Sequence, residues 1–595
     1  MVGGKSLEEK TELSQVIINT ACKIAVNAHK KTKTYQYEKI GSSSSSPATA
    51  VFAFSADHWF KEKPFGLKPI DLAAFPSLRS IGNHQKTEVH EAFIGRYYEI
   101  LMTSSLTAKV EGAIRKGRQI VFTGHSSAGP TAIFATLHFL EENKKTEGKT
   151  SIRCLTFGSP LVGDRVLPHA LRRENWARYF VHFVTRYDIV PRIMLAPVSS
   201  IKQDEVQRVL DYFNPLSKNF HKESVATSSE ATDVYTTIMT YAASVASHAA
   251  CNLIGSTNLV LDTLSSFIEL SPYRPFGTYI FCIGRGKLVV VENSDTVVQM
   301  LLHLACDQAG EVAQVAYRSL KDNLVYESEL QNSFKIRNVA YLDHAEGLPD
   351  DLGLSTRARL CIHAAEELEK KKLENEKKIN KEGIQDGLQK MQEYRKNGER
   401  RKVGYYDSFK LQNEVEEKDF QANVTRLEIA AIWDGIIEMV SKNELPDEFE
   451  GKKEWIELGN EFRRLVEPLD IANYYRRAMH EDAGSYMEKG RPKRYRFTQR
   501  WREHEERMPA EPISESCFLA EVEELIITCK KRSFEDIKDR ILSLEKQVHG
   551  WVQAMPGVLG KDVFLDGSTF AKWWNSLPQQ HKSESCLKEK FGFHV

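Results

Sequence analysis

Short apolar runs alternate with helical patterns over the first 350 residues. The runs typical of buried strands are 51–54, 120–122, 152–157, 179–184, 278–283 and 287–291. Apolar positions three and four residues apart predict helices over 11–29, 131–143, 257–269 and 295–306. Strands that alternate with helices are typical of an α/β domain with a largely parallel sheet. The polar segment 195–235 is predicted to be a loop or a lid-like insertion.

The pattern changes after about residue 350, where strand signals almost disappear. Residues 357–400 form a charged helical pattern, and further helices are predicted over 453–466, 515–531 and 533–555. Segment 421–441 carries an apolar stripe at helical spacing, and packing in a helix bundle is the most economical explanation for it. The stripe consists of Ile429, Ile432, Ile436, Met439 and Val440. We therefore predict two domains, an α/β domain over 1–355 and an all-α domain over 356–595.

Composition excludes several classes of protein. The 595 residues include 81 basic and 81 acidic side chains, so no global field would draw the chain to nucleic acid or to an anionic membrane. The N-terminus lacks the apolar core of a signal peptide, and no run of about 18 apolar residues predicts a membrane span. The nine cysteines are scattered without CxxC or zinc-ligand spacing, which favours reduced intracellular thiols and no metal site.

Residues 119–140 carry the strongest chemical signal. An apolar run is followed by Gly124, His125, Ser126, Ser127, Ala128 and Gly129, and then by a helical pattern. Strand, sharp turn and helix with Ser126 at the tip predict a nucleophile elbow, which lifts a serine hydroxyl above a parallel sheet. The usual GxSxG pattern has alanine at its last position here. An ordinary turn with incidental serines is the alternative.

A serine hydrolase also needs a base and a carboxylate that orients it. Asp188 follows a predicted strand and precedes Pro191, so it is the candidate acid, with a turn or helix cap as its alternative role. His221, His248, His303 and His344 come later, but His303 lies in an apolar helix and is more simply a packed histidine. Where the last strand–helix segment should supply the base, the chain has Asn323, which cannot accept a proton near neutral pH. The segment 51–60, where an oxyanion-hole loop would lie, lacks the expected glycine.

The second candidate site is basic. Residues 489–502 contain seven lysine or arginine side chains and no acid. Arginine is suited to bidentate contacts with phosphate. A solvated surface, or a nuclear-import signal, is the plainer interpretation for most of these side chains. A nucleic-acid binder would show strongly salt-dependent affinity.

Several strings in the chain resemble known proteins. The elbow GHSSAG, the strand CLTFGSPLVGD at 154–164 and the DIVP that begins at Asp188 resemble class 3 lipases. LSPYRPFGTYIF at 270–281, LPDEFEG at 445–451, RRLVEPLDIANYYR at 463–476 and YMEKGRPKRYRFTQRW at 486–501 are more specific. They resemble the plant immune regulators of the Enhanced Disease Susceptibility 1 family over nearly the whole chain. The resemblance implies an α/β-hydrolase-like, class 3 lipase-like N-terminal domain and an all-α helical-bundle "EP" domain.

The resemblance also implies a degraded triad and a partner. Ser126 and Asp188 match the family's serine and aspartate, whereas the usual histidine falls on Asn323. Members form heterodimers with Phytoalexin Deficient 4 or Senescence-Associated Gene 101 through one apolar helix that enters a groove of the partner. Here Val260, Leu264, Phe267 and Ile268 carry that helix, at spacings that place all four on one face. Burial in the core of this chain is the alternative.

The resemblance further implies that the chain binds a nucleotide ligand and carries no cofactor. The EP cavity receives nucleotide second messengers made by TIR enzymes, of the phosphoribosyl-ADP/AMP or ADP-ribosylated-ATP kind. The matching positions are Phe420, which could stack on a base, and Arg477 and Arg494, which could bind phosphates. A lysine common in the family is Met479 here.

These implications together predict a non-catalytic signalling scaffold and coreceptor in the cytoplasm and nucleus. It would relay defence and cell-death signals to helper NLR immune receptors. The competing hypothesis is an active serine lipase or acyl hydrolase that uses Ser126.

Overall fold

The chain folds into two compact units. The computed structural model describes residues 6–31, 33–41, 48–56, 66–82, 85–146, 148, 150–197, 203–254, 269–306, 311–342, 354–400, 402–411, 417–554 and 558–591. The N-terminal unit comprises Met1–Ser80 and His84–Lys371, and the C-terminal unit comprises Ile81–Asn83 and Lys372–Val595.

The N-terminal unit is built on an eight-stranded sheet with the order β1-β2-β5-β6-β7-β8-β9-β10, and β3 and β4 form a separate two-stranded ribbon. Strands β2, β5, β6, β7 and β8 are parallel, while β1 and β9 run antiparallel to their neighbours β2 and β8. The strands are β1 (Tyr35–Ile40), β2 (Thr49–Phe54), β3 (Leu67–Pro69), β4 (Glu88–His90), β5 (Gln119–His125), β6 (Ile152–Phe157), β7 (Phe180–Thr185), β8 (Thr278–Cys282), β9 (Lys287–Val291) and β10 (Asn338–Tyr341).

The inner strands are buried on both faces. Every residue of β2, β5, β6 and β7 is buried. This explains why these strands are near-continuous apolar runs and not alternating patterns. Phe52 pairs with Phe122, which pairs with Cys154, so the runs lie side by side in the sheet. The central strands predicted from the sequence are confirmed, and the carboxyl end of β5 carries the serine turn.

Helices cover the sheet. Those described are α1 (Leu7–Thr11), α2 (Gln15–His29), α3 (Glu91–Thr103), α4 (Leu106–Ile114), α5 (Gly129–Lys145), α6 (Val166–Arg173), α7 (Gln203–Asp211), α8 (Glu223–Ala226), α9 (Ser229–Ile254), α10 (Ser294–Ala305), α11 (Val312–Lys321) and α12 (Tyr326–Ile336). The helices predicted before β1, after the serine turn and near residue 300 are present as α2, α5 and α10. The helix predicted over 257–269 lies almost entirely outside the described residues.

The prediction of a loop over 195–235 was wrong. α7, α8 and the start of α9 occupy about half of this segment. Val234, Ile238, Ala242 and Val245 of α9 are buried at helical spacing. Within the segment, the serine, threonine and acidic residues of 229–235 made the start of α9 look polar, although Ala231 and Val234 belong to the core of the unit.

The regular secondary structure described in the C-terminal unit is all helical. The two units meet within α13 (Thr356–Lys378), where the N-terminal unit ends at Lys371. The boundary predicted from the sequence, between residues 355 and 356, lies just before this helix. The other helices are α14 (Lys381–Arg400), α15 (Tyr405–Lys410), α16 (Glu417–Ser441), α17 (Lys453–Arg476), α18 (Met479–Ala483), α19 (Lys493–Glu505), α20 (Phe518–Cys529), α21 (Phe534–Ala554), α22 (Thr569–Asn575) and α23 (Gln579–Glu584).

An aromatic cluster forms the centre of this unit. Trp433 of α16 stacks on Phe462 of α17 at 5.3 Å between ring centroids, and Phe462 stacks on Tyr495 of α19 at 5.4 Å. Trp501 lies 6.3 Å from Trp433. The predicted stripe on α16 packs against the same core, with Ile429 and Ile436 fully buried. Core packing of that stripe is therefore confirmed.

No described helix combines the length and the hydropathy that a membrane span requires. The cysteines whose side chains are described are all free thiols.

Candidate functional site

The predicted elbow has the backbone of a nucleophile turn. β5 ends at His125, Ser126–Ala128 form a single 3-10 turn, and α5 begins at Gly129. Ser126 has a φ of 53°, in the left-handed region that costs a residue with a side chain about 1–2 kcal/mol. Its hydroxyl is buried and has no hydrogen-bond partner in the described part of the chain. The strand, the turn and the helix thus hold Ser126 in the strained conformation of a nucleophile.

Two glycines make this turn possible. A Cβ on Gly124 would overlap the carbonyl group of Ala128, and a Cβ on Gly129 would overlap the side chain of Ser159. The close approach that the GxSxG pattern assigns to its last glycine is therefore made one residue later, at Gly129. Ala128 is itself fully buried, so its methyl group fits where the pattern usually has glycine.

Asp188 is buried three residues after β7 and accepts three hydrogen bonds. Its Oδ2 accepts from Asn323 Nδ2 at 2.9 Å and from Tyr326 Oη at 2.6 Å, and its Oδ1 accepts from the Val190 amide at 3.0 Å. Burial raises the pKa of Asp188 to about 6, although these three hydrogen bonds act in the opposite direction. The carboxylate is thus held in a fixed orientation, as the acid of a triad is.

Asn323 donates to Asp188 from the position that a triad histidine would use. A carboxylate can only accept, so the amide nitrogen and not the amide oxygen must face it. An amide nitrogen has no basic lone pair, and the hydrogen bond to Asp188 therefore comes without a proton acceptor. Gly158 permits this packing, because a Cβ there would overlap Asp188 Oδ2, Tyr326 Oη and Asn323 Nδ2.

Sequence reasoning missed the histidine next to the serine. His125 Nε2 donates to the carbonyl oxygen of Asn323 at 2.7 Å, and its buried Nδ1 has no partner among the described residues. Its ring meets the edge of His29 at 5.0 Å, and His29 Nε2 donates to the Phe213 carbonyl at 3.0 Å. His125 was overlooked because it occupies a variable position of the motif, and His29 because it lies in an apolar helix.

Both histidines are neutral at physiological pH. Burial, and then repulsion from His29, lowers the pKa of His125 to about 3. Burial likewise lowers the pKa of His29 to about 4. His221 and Lys30 are close enough to His125 to disfavour its protonation further. A nitrogen this weakly basic is a poor acceptor for a serine proton.

The buried histidines predict a loss of stability in acid. Because the pKa of each is lower in the folded chain than its ordinary 6.5, stability is complete above that value and falls as the pH decreases towards 4. His125 alone should lower the free energy of unfolding by about 2 kcal/mol between pH 7 and pH 5. Asp188 contributes in the opposite sense, because its raised pKa favours the folded state at low pH.

Urea unfolding of His125→Gln and of the parent chain at pH 7 and pH 5 tests this prediction. Glutamine keeps a donor for the Asn323 carbonyl but does not titrate, so the variant should lose about 2 kcal/mol less than the parent on acidification. Equal losses in the two proteins would contradict the prediction. Asp188 is present in both, so its contribution cancels.

The C-terminal candidate residues lie on three helices. Phe420 is 56% exposed on α16, Arg477 is exposed at the end of α17, and Arg494 lies in the first turn of α19. Arg494 donates from Nη1 to Asp434 Oδ2 and from Nη2 to Asp470 Oδ2, both at 2.7 Å. Met479, where a lysine is common in the family, is 45% exposed just beyond Arg477.

Asp470 pairs with two arginines, and two more lie close to one of them. Arg426 forms an ion pair with Asp470, as Arg494 does. Burial lowers the pKa of Arg426, and repulsion from Arg494, Arg477 and Arg476 lowers it further. The described side chains thus place a concentration of positive charge at this point, and two carboxylates offset part of it.

The interpretation of residues 489–502 as a mostly solvated basic surface was wrong. Arg491 is buried and donates to Glu467 Oε1 at 2.6 Å, and Arg502 is buried and donates to Glu515 Oε1 at 2.6 Å. Arg496 and Arg500 donate to backbone carbonyl groups. Lys489 and Lys493 are the members of the run that stay exposed. These contacts give a nucleic-acid interface no support.

Val260, Leu264, Phe267 and Ile268 lie outside the described residues. His303 is half-buried on α10, and His344 lies outside the described residues. In the part of the chain that the structure describes, no group of three histidine, cysteine, aspartate or glutamate side chains is placed to hold a metal ion.

The fold and the serine turn define a lipase-like protein of the α/β-hydrolase class. The Lipase (class 3) family matches residues 55–197, and the Enhanced disease susceptibility 1 protein EP domain matches residues 389–590. Protein EDS1B of Arabidopsis thaliana is 41% identical to the chain over 94% of each protein. The chain belongs to the Enhanced disease susceptibility 1 family, and is a plant immune regulator with a lipase-like domain.

More distant relatives share most of the chain as well. Lipase-like PAD4 of Arabidopsis thaliana is 25% identical over 86% of this chain and 84% of its own length. Senescence-associated carboxylesterase 101 of the same plant is 26% identical over 79% of this chain and 71% of its own length. The similarity to both of these proteins thus extends over more than three quarters of the chain.

Proposed function

We propose that this chain is a non-catalytic signalling scaffold and coreceptor of plant immunity. It pairs with a lipase-like partner and binds a nucleotide second messenger of TIR enzymes in its C-terminal unit. It then relays defence and cell-death signals, including the hypersensitive response, to helper NLR receptors in the cytoplasm and nucleus. The observation that carries the non-catalytic part is the Asn323 amide on Asp188.

Among the described residues, the lack of a proton acceptor beside Asp188 favours a scaffold over a hydrolase. Asn323 gives Asp188 its hydrogen bond without a proton acceptor, and the pKa of His125 is too low for it to serve as a base at neutral pH. Removal of a triad base lowers kcat by several orders of magnitude, even when the oxyanion hole remains. The strained Ser126 backbone is therefore interpreted as part of the architecture of the fold.

Ester turnover tests this point. Hydrolysis of a p-nitrophenyl ester by the purified chain should be no faster than by Ser126→Ala, and a fluorophosphonate probe should leave Ser126 unlabelled. An active serine hydrolase would lose at least about a thousandfold in rate on the same substitution. Labelling of Ser126, together with turnover that Ser126→Ala abolishes, would establish the hydrolase in place of the scaffold.

Pairing with a partner rests on the apolar segment 260–268. The chain has relatives with the same two regions, among them Lipase-like PAD4 and Senescence-associated carboxylesterase 101, and such proteins are the proposed partners. The spacing of Val260, Leu264, Phe267 and Ile268 suits a helix that enters an apolar groove.

Co-purification with each partner tests the pairing. Leu264→Ala/Phe267→Ala should abolish it, because truncation of central apolar anchors typically costs at least about 2 kcal/mol each. Val16→Ala is the matched control, since Val16 is an apolar side chain of the same unit that is 63% exposed. Retained pairing in the double variant would refute the proposed interface, and so would equal loss in the control.

Nucleotide binding rests on the arginine cluster around Asp470. Arg494 has one amine on Asp434, whose side chain is 54% exposed, and the other on the buried Asp470. A ligand phosphate would take the place of the exposed Asp434 carboxylate and leave the Asp470 contact intact. The exposed ring of Phe420 is available to stack on a base.

Calorimetry of the heterodimer with ADP-ribosylated ATP tests this site. Arg477→Ala should weaken binding about tenfold or more, because a charge-assisted hydrogen bond to phosphate is lost. Asp434→Asn should tighten binding several-fold, because it removes the carboxylate that competes for Arg494. Lys442→Ala, at an exposed lysine on the same unit, should have no effect. Unchanged affinity in both site variants would refute this location.

A further inference from the structure

A cleft opens in the C-terminal unit. It lies between α14, α17 and residues 558–561 and has a volume of about 800 Å³. This volume is within the usual range of about 300–1,000 Å³ for sites that bind small molecules. The cleft is lined by side chains other than Phe420, Arg477 and Arg494, so it is separate from the proposed nucleotide site.

Four cations line the cleft, and several of their donors have no partner. Arg395 donates from Nη2 to Asp562 Oδ1 at a long 3.3 Å, while its buried Nε makes no hydrogen bond in the described part of the chain. Arg464 donates from Nε to Glu515 at 3.0 Å, which leaves its terminal amines available. Lys396 and Lys561 are exposed and form no ion pair with a described carboxylate.

Gly560 brings the backbone close to one of these cations. A Cβ on this glycine would overlap Arg395 Nη2 and Asp562 Oδ1. The guanidinium is therefore held against the 558–561 segment, at the wall of the cleft. A planar guanidinium fixed in this way is pre-organised for a bidentate contact with an anion.

Three carboxylates line the same cleft. Glu461 accepts a hydrogen bond from Gln392. Glu399 lies 3.8 Å from Arg395 Nε, and Glu457 lies 3.7 Å from the exposed Lys453 Nζ. Each retains accepting capacity, because an ionised carboxylate has about four lone-pair sites. The occupant must therefore bring hydrogen-bond donors as well as negative charge.

We propose that this cleft binds a small hydroxylated phosphate ester, of the sugar-phosphate class. The four cations of the cleft take the phosphate, and the sugar hydroxyl groups donate to Glu457 and Glu461. A bare anion would be repelled by the carboxylates, and a neutral sugar would leave the cations unused. Leu465, Val558 and Leu559 supply the small apolar part of the wall.

Calorimetry of the full-length chain tests the proposal. Ribose 5-phosphate is the probe, and ribose and inorganic phosphate are compared with it. Ribose 5-phosphate should bind saturably, inorganic phosphate at least about tenfold more weakly, and ribose without detectable heat. Lys396→Ala/Lys561→Ala should raise the Kd for ribose 5-phosphate about tenfold, while the control Lys442→Ala leaves it unchanged. Arg395→Gln provides a second cleft variant should the double variant misfold.

Other outcomes would overturn the assignment. Equal affinity for inorganic phosphate would mean a simple anion site, and binding that no cleft variant alters would place the ligand elsewhere. Arg477→Ala separates the two sites of this unit. It should leave the heat of ribose 5-phosphate binding unchanged, and loss of that heat would assign the ligand to the arginine cluster.

Discussion

Arg463→Ala should lower the free energy of unfolding of the C-terminal unit by about 3–5 kcal/mol. Arg463 is fully buried and donates to Ser514 Oγ at 2.6 Å, to Ser516 Oγ at 2.7 Å and to Glu515 Oε1 at 2.9 Å. Loss of the guanidinium leaves these acceptors short of a donor in a dry environment, and it also opens a cavity. Urea unfolding followed by tryptophan fluorescence reports on this unit, because Trp433, Trp455 and Trp501 lie in its core.

A matched variant makes this result specific. Lys453→Ala changes a basic residue of the same helix whose side chain is 78% exposed, and it should alter stability by less than about 0.5 kcal/mol. If Arg463→Ala were as mild as Lys453→Ala, the buried network would not be what holds α17 to residues 514–516.

The same network should also make the stability of the C-terminal unit depend on pH in the acid range. Burial alone would raise the pKa of Glu515, but Arg463, Arg502 and Arg464 outweigh burial and lower it to about 2. The resulting stability is complete above the ordinary value of 4.5 and is lost as the pH falls from there towards 2. The unfolding of Glu515→Gln should therefore depend less on pH in that range.

Gly124→Ala should lower the free energy of unfolding of the N-terminal unit by at least about 3 kcal/mol. The added methyl group would overlap the carbonyl group of Ala128 and the amide of Gly129, which are backbone atoms of the turn and of α5. Backbone cannot move aside as a side-chain tip can, so the serine turn would have to open. Thermal unfolding with circular dichroism measures the loss.

Gly95→Ala is the control for this substitution. Gly95 lies inside α3 and has open space at its Cβ position, so alanine there should stabilise the chain by about 0.5–1 kcal/mol. The two changes are chemically identical, and only the surroundings differ. A destabilising Gly95→Ala, or a neutral Gly124→Ala, would show that the packing of the turn is not the controlling factor.

The central strands and the serine turn were predictable because local chemistry determines them. Buried parallel strands must be almost wholly apolar, and the turn at Ser126 needs small residues at 124 and 129. Asp188 and Asn323 could be nominated from their places after predicted elements. Their mutual hydrogen bond could not, because it joins positions 135 residues apart.

Other features depended on tertiary packing that leaves little trace in the sequence. β1 reads as polar because it is an edge strand, where most side chains are only half-buried. α9 was not predicted because it contains many threonines, which look polar in the sequence. In the structure, the hydroxyl groups of Thr236 and Thr240 donate to carbonyl oxygens of the preceding helical turn, so their polar atoms are satisfied locally. The cleft near Arg464 combines two helices with residues 558–561, and no linear pattern connects these segments.

The burial of Arg491 and Arg502 has a consequence for nuclear import. Import receptors recognise extended basic peptides, yet in residues 489–502 the two exposed lysines are separated by a buried arginine and a proline. To present this run to an import receptor, the chain would have to unwind α19, remove Arg491 from Glu467 and deprive Glu515 of one of its three arginine partners. The folded chain therefore cannot use residues 489–502 as a nuclear-import signal.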